Sequence, residues 1–159
     1  KRLADLGVHS IEQPIKAGQP ALMQFLCQVS PLPIALDEEL IGKFTTEQKA
    51  ETLDTIRPQY IVIKPTLTGG YSGAEEWINL ARERNIGWWI TSSLESNIGL
   101  NALAQWVATL DTTMPQGLGT GALYTNNFES PLHLEGERLM YDPDKTLDRA
   151  ALDRLDWRE

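Results

Sequence analysis

The chain has 159 residues, of which 42% are hydrophobic and 23% charged, the composition of a globular protein that can bury a core. Its 14 Lys and Arg against 22 Asp and Glu leave a net charge of −8, the wrong sign for a surface that follows phosphates, so we expect no nucleic-acid partner. No apolar run approaches the ~20 residues that span a bilayer, and no secretory signal is recognisable. We therefore expect a cytoplasmic protein with no membrane partner.

Short apolar runs alternate with longer segments of helical periodicity. The predicted strands are residues 8–12, 33–37, 60–64 and 88–92, with a weaker fifth at 116–123. The predicted helices are residues 19–29, 45–56, 72–85 and 97–110, the second capped by Thr45 or Thr46. This alternation predicts βαβ units, and hence an α/β fold with a parallel sheet covered by helices.

Two α/β architectures are compatible with this pattern, an open doubly wound sheet and a (β/α)₈ barrel. The phosphate loops GxGxxG and GxxxxGK[ST] are both absent from the sequence, which favours the barrel. A complete barrel takes ~250 residues, and the chain starts without Met in a helix-end pattern closing at Gly7. We expect the C-terminal part of a larger protein, with residues 1–125 as barrel and 126–159 as a tail containing a strand near 132–136 and a final helix.

Polar residues follow successive predicted strands at regular intervals of 25 to 28 residues: Glu12, Asp37, Lys64, Ser92 and Gly117. One βα unit separates each from the next, so all should reach the carboxyl ends of adjacent strands, where barrel active sites lie. Two carboxylates on neighbouring strands make half of a Mg²⁺ site, because that ion prefers oxygen ligands. A lysine on the next strand would face the same cavity.

Each of these residues also has a simpler interpretation. Glu12 precedes Gln-Pro and could close a strand at a turn. Asp37 begins the run Asp-Glu-Glu and could belong to an acidic helix start. Lys64 could be a solvated strand end, and Ser92 and Ser93 could cap the following helix.

Four motifs carry a resemblance to a known family: IEQP at 11–14, ALDEEL at 35–40, VIKPTLTGG at 62–70 and ITSSLESNIGL at 90–100. Together they resemble the enolase superfamily, and within its muconate-lactonizing branch the o-succinylbenzoate synthase family. The similarity runs through Gly121. It implies the C-terminal portion of a (β/α)₈-type barrel, about strands 4 to 8, with the N-terminal capping domain and the first strands missing.

The resemblance also implies a chemistry and a role for each candidate residue. Mg²⁺, with Mn²⁺ as the alternative, would be held by three acidic residues, of which Glu12 matches the second and Asp37 the third. Lys64 would stabilise an enediolate anion opposite a second-strand lysine, and Ser92, Ser93 and Gly117 would hold the substrate's succinyl carboxylate. The implied reaction, in menaquinone biosynthesis, dehydrates 2-succinyl-6-hydroxy-2,4-cyclohexadiene-1-carboxylate to o-succinylbenzoate. The partners would be this small carboxylate substrate and the missing N-terminal part.

Other functions remain open on this fold. A dipeptide epimerase or an N-acylamino acid racemase uses the same anion, and a barrel without a base would be non-catalytic. The segment QGLGTGALY at 116–124 lacks the paired aspartates with which the related dipeptide epimerases bind a substrate ammonium. The resemblance therefore favours the dehydratase.

Overall fold

The computed structural model describes residues 1–147, 150 and 153. The chain forms two compact units, residues 1–91 and 92–159. The predicted boundary at residue 125 stays a prediction. No helix among the described residues is both long and apolar enough to cross a membrane.

The first unit alternates strands and helices as the sequence predicts. Its sheet contains four parallel strands in sequential order: β1 (Ile11–Glu12), β2 (Ile34–Leu36), β3 (Tyr60–Ile63) and β4 (Gly87–Ile90). Its helices are α1 (Arg2–Asp5), α2 (Pro20–Val29), α3 (Thr46–Ile56) and α4 (Gly70–Glu83), with a short 3-10 helix at Glu38–Leu40. Sequential parallel order with one helix per crossover is the arrangement of consecutive barrel units.

Local sequence signals set the helix starts. Thr45 caps α3, because its hydroxyl accepts from Gln48 N–H at 3.2 Å while the Gln48 side chain accepts from Thr45 N–H at 3.2 Å. This reciprocal pair satisfies two backbone donors that a helix start leaves free. Pro20 opens α2, where its missing N–H costs nothing. Gly69 precedes α4 and Gly70 begins it, with φ of +100° and +72°, values that glycine adopts without a steric penalty.

The core of the first unit lies between the sheet and its helices. Helix α4 packs against β3 and β4, and α3 packs against both α2 and α4. The buried side chains include Met23, Ile34, Leu36, Leu53, Ile61, Ile63, Trp77 and Ile90. Burying such side chains is the main favourable term in folding, and it makes the strand ends a rigid frame for the polar residues that follow.

A buried lysine joins α3 to α4. Lys49 is 1% exposed, and its Nζ donates to Glu76 Oε2 at 2.6 Å and to the Gly73 carbonyl at 3.1 Å. The ammonium also lies 5.9 Å from the centre of the Trp77 ring, within range of a cation–π interaction. A buried charge needs such partners to be tolerated. Lys49 therefore links α3 to α4 through an ion pair and a buried hydrogen bond.

In the second unit, the fifth strand predicted at 116–123 is wrong. Gly117 forms only a single bridge, and Gly119–Leu123 is a 3-10 helix. A Cβ on Gly121 would lie 2.7 Å from Asn97 Oδ1 and 2.9 Å from Leu100 Cδ2. The glycine therefore serves close packing on helix α5 (Asn97–Val107) instead of pairing in a sheet.

The strand predicted near 132–136 is confirmed as the first arm of a hairpin. Strand β5 (Leu132–Glu135) pairs antiparallel with β6 (Arg138–Tyr141), and Gly136 turns the chain with φ of +61°. A positive φ is what tight hairpin turns require. The predicted final helix lies outside the described residues.

Candidate active site

Three of the predicted site residues meet at the carboxyl edge of the four-stranded sheet. Glu12 ends β1, Asp37 directly follows β2, and Lys64 directly follows β3. Glu12 pairs with Ala35, so Asp37 lies two residues beyond that partner. Leu36 pairs with Ile61, which places Lys64 two residues beyond the level of Asp37. Because side chains alternate between faces, these even offsets direct all three residues to the same side of the sheet.

Lys64 and Asp37 form an ion pair. Lys64 Nζ lies 2.5 Å from Asp37 Oδ2, with the Asp37 side chain 9% and the Lys64 side chain 21% exposed. Lys64 is anchored by the turn that follows it, since its carbonyl accepts from Leu67 N–H at 2.8 Å and from the Thr68 hydroxyl at 3.0 Å. Pro65 excludes helical continuation at Lys64. Lys64 is therefore a partly buried, ion-paired strand end, and its interpretation as a solvated strand end is wrong.

Glu12 is electrostatically coupled to this pair. Partial burial and the negative charge of Asp37 raise the pKa of the Glu12 carboxyl, while the Lys64 ammonium opposes the rise and Glu38 adds to it. Burial and a neighbouring like charge both disfavour the ionised form. The metal-free protein thus holds two carboxylates whose repulsion a bound cation would relieve.

This coupling predicts that Glu12→Gln stabilises the metal-free protein at neutral pH. The pKa of Glu12 is higher in the folded state than in the unfolded state. The contribution of Glu12 to stability is therefore present below the unfolded-state pKa and is lost as the pH rises through the folded-state pKa. We expect the variant to melt about 1 °C higher than the wild type at pH 7, a small shift because solvent exposure screens the electrostatic interaction. Below pH ~4 the two proteins should melt at the same temperature.

The measurement is thermal unfolding of the chelator-treated protein between pH 4 and 8. The control is Glu51→Gln on the exposed side of α3, which we expect to melt at the same temperature as the wild type. A Glu12→Gln protein that melts below the wild type at pH 7 would contradict the electrostatic argument.

The acidic run Asp37-Glu38-Glu39 has three different environments. Asp37 faces Lys64, Glu38 is exposed, and Glu39 is buried at 6% exposure. The Glu39 carboxylate accepts from Gly18 N–H at 3.1 and 3.2 Å. The run does begin a short helix, as its simpler interpretation expects, with Asp37 at the N-cap of the 3-10 helix and Glu38 and Glu39 in its first turn. Two of its three carboxylates nevertheless have internal partners.

Sequence reasoning missed Gln13, which directly follows Glu12 at the end of β1. Its Oε1 accepts from the backbone N–H groups of Asp37 at 3.1 Å and Glu39 at 3.4 Å, and its Nε2 donates to the Ile15 carbonyl at 3.0 Å. The available signal was its place in the motif IEQP, next to a candidate ligand. A glutamine there can accept from and donate to backbone groups at once.

The remaining predicted site residues belong to the second unit. Ser92 N–H donates to the Gly117 carbonyl at 3.1 Å, which brings those two residues together. The Ser92 hydroxyl contacts the Thr120 hydroxyl and accepts from Leu94 N–H at 3.1 Å.

The two serines differ in exposure. Ser92 is 5% exposed, whereas Ser93 is half-buried. The Ser93 N–H donates to Glu95 Oε2 at 2.8 Å. Neither serine hydroxyl caps α5, whose N-cap is Ser96. Their role toward a substrate stays a prediction.

The chemistry of the donor set fits a hard divalent cation in part. Glu12 and Asp37 supply carboxylate oxygens on neighbouring strands, the ligand type that Mg²⁺ and Mn²⁺ bind. Within residues 1–147, 150 and 153, no three His, Cys, Asp or Glu side chains gather as a possible metal site. Two carboxylates are consistent with the expectation of a second and a third ligand.

A family model and two named relatives match this chain over most of its length. A family model described as "Enolase C-terminal domain-like" matches residues 1–145. An o-succinylbenzoate synthase from Desulfotalea psychrophila is 61% identical over 136 residues, which are 86% of this chain and 37% of the relative. An L-Ala-D/L-Glu epimerase from Bacillus subtilis is 31% identical over 105 residues, 66% of this chain and 28% of the relative.

A solved structure is similar over the same region. The crystal structure of MenC from Desulfotalea psychrophila LSv54 superposes with a TM-score of 0.83 at 60% identity, covering 87% of this chain and 39% of that one. The chain thus spans about two fifths or less of the length of these relatives.

Proposed function

The chain belongs to the enolase C-terminal domain-like family, which confirms the predicted barrel over the open sheet, and from this premise we propose that it carries part of the active site of a divalent-metal-dependent o-succinylbenzoate synthase. The observation that carries the proposal is the convergence of Glu12, Asp37 and Lys64 on one side of three neighbouring strand ends. Two carboxylates and an ammonium in one place suit a reaction that builds negative charge on a substrate carboxylate.

The proposed reaction removes water from 2-succinyl-6-hydroxy-2,4-cyclohexadiene-1-carboxylate. The ring C–H beside the carboxylate loses its proton to a base, the C–O bond to the hydroxyl breaks, and hydroxide takes up a proton and leaves as water. The product is the aromatic o-succinylbenzoate. The bound cation, Mg²⁺ in this proposal, supplies positive charge beside the substrate carboxylate.

The residues of this chain then have separate roles. Glu12 and Asp37 are proposed to hold the cation, and Lys64 to present its ammonium to the anion that forms when the proton is removed. The ion pair of Lys64 with Asp37 supports this assignment, because it keeps the ammonium beside the proposed ligands. Ser92, Ser93 and Gly117 are proposed to hold the second carboxylate of the substrate. The contact of Ser92 with Gly117 supports grouping them.

Two reasons favour dehydration over epimerisation as the proposed reaction. The relative named as the synthase is far more similar to this chain than the one named as an epimerase. The segment 116–124 contains no aspartate, so it offers no carboxylate pair for a substrate ammonium.

The test is a direct assay of the purified full-length protein. We expect it to convert the cyclohexadiene substrate with Mg²⁺ to o-succinylbenzoate, detected by mass spectrometry, with kcat on the order of 1 s⁻¹ or more, and to stop when EDTA is added. A parallel reaction with L-Ala-L-Glu in D₂O reports epimerisation through deuterium incorporation. Rapid deuterium exchange into the dipeptide without dehydration of the diene would overturn the proposal.

A further inference from the structure

Gln13 has a backbone conformation that only strong local constraints maintain. Its φ is +35°, a region that residues other than glycine rarely occupy and that strains the backbone. The backbone N–H donates to the Ala35 carbonyl at 2.9 Å, which continues the pairing of β1 with β2 by one residue. The strain therefore lies directly beside Glu12.

The side chain of Gln13 accounts for the persistence of this conformation. One amide end accepts from two backbone donors, the N–H groups of Asp37 and Glu39, and the other donates to Ile15. A second link runs in the opposite direction, from Gly18 N–H to the buried carboxylate of Glu39. The loop after β1 and the loop after β2 are thus joined in both directions.

We propose that Gln13 is a positioning residue that holds the backbone of Asp37 in place relative to Glu12, so that both carboxylates face one cation. This inference rests on the proposed function of the site. A peptide bond joins Gln13 to Glu12, and the Gln13 amide oxygen accepts a hydrogen bond from Asp37 N–H at 3.1 Å. Gln13 therefore links the backbones of both carboxylate residues. Groups that orient metal ligands without touching the metal commonly contribute 10–100-fold to its affinity.

The test uses three substitutions of Gln13 in the full-length protein. Gln13→Leu removes the amide at similar size, and Gln13→Gly removes it while accepting the positive φ. Gln13→Glu keeps an acceptor at the same reach. The matched control is Gln19→Leu, because the Gln19 amide donates to the exposed carbonyl of Lys16 at 2.9 Å, away from Asp37 and Glu39.

Two quantities are measured. The first is hydrogen exchange of the Asp37 and Glu39 amides in chelator-treated protein, which reports the hydrogen bonds without any metal. The second is the Kd for Mn²⁺ by electron paramagnetic resonance. We expect Gln13→Leu and Gln13→Gly to accelerate exchange at both amides and to raise the Mn²⁺ Kd by ~10-fold or more. Gln13→Glu should retain amide protection and affinity, and Gln19→Leu should match the wild type.

Failure of this proposal is distinguishable from failure of the proposed metal site. If Glu12→Gln weakens Mn²⁺ binding but Gln13→Leu and Gln13→Gly do not, the positioning role is overturned. Equal behaviour of Gln13→Leu and Gln13→Glu also overturns it, because the acceptor would then be irrelevant. If Glu12→Gln leaves Mn²⁺ binding unchanged, the metal site itself is wrong, and the positioning role toward it is wrong with it.

Discussion

Lys64→Ala is expected to lower kcat of the full-length protein by ~10²-fold or more while leaving it folded. If the Lys64 ammonium stabilises the anion formed from the substrate, it interacts more strongly with the transition state than with the ground state, and such interactions raise kcat. Lys64→Arg should also be impaired, because a planar guanidinium does not replace a compact ammonium. Steady-state dehydration kinetics measure the effect.

The control for Lys64 is a lysine in an exposed ion pair. Lys145 lies 3.5 Å from Asp142 with 62% of its side chain exposed, and removing such a pair costs less than ~1 kcal/mol. Lys145→Ala should therefore keep both kcat and the melting temperature. Lys64→Met, which preserves side-chain volume, shows whether unfolding explains any lost activity. A near-normal kcat in folded Lys64→Ala and Lys64→Arg proteins would remove Lys64 from the proposed site.

Asp37→Asn and Glu12→Gln are expected to weaken Mg²⁺ binding and to reduce turnover by ~10²-fold or more. A metal ion beside a developing charge stabilises the transition state by several kcal/mol. Neutralising one of the two carboxylates removes negative charge that would hold the metal ion. The two variants should differ in one respect. Asp37→Asn also removes the charged partner of Lys64, so it should lose stability, whereas Glu12→Gln should not.

The measurements are calorimetric Mg²⁺ titration, turnover and thermal unfolding of each protein. Glu51→Gln, an exposed carboxylate on α3, is the control and should behave as the wild type in all three. Wild-type Mg²⁺ affinity in either Asp37→Asn or Glu12→Gln would exclude that carboxylate from the site.

The sequence predicted the alternation of the first unit because its signals are local. The apolar runs at 33–37 and 60–64 became β2 and β3, and Thr45 capped α3 through a capping box that lies within four residues of chain. The convergence of the candidate residues was predictable for a related reason. In parallel βα units the carboxyl ends of successive strands share one edge, so regular spacing along the chain becomes proximity in space.

The segment 116–123 shows where local pattern reading fails. Its apolar and glycine composition fits a buried strand, yet Gly119–Leu123 forms a 3-10 helix. The deciding factor is the close approach of Gly121 to Asn97 and Leu100, two residues on a helix more than twenty positions earlier. Only the packed structure brings those atoms together.

The sequence by itself determined the order of strands and helices and the set of charged residues at the strand ends, because both follow from periodicity and spacing. The tertiary structure alone decided which polar groups pair. It buried Lys49 between two helices, turned Glu39 inward to Gly18, and placed the Gln13 amide against the backbone of Asp37. These contacts join residues more than twenty positions apart, and the physical reason is that a buried polar group must find a partner wherever the fold supplies one.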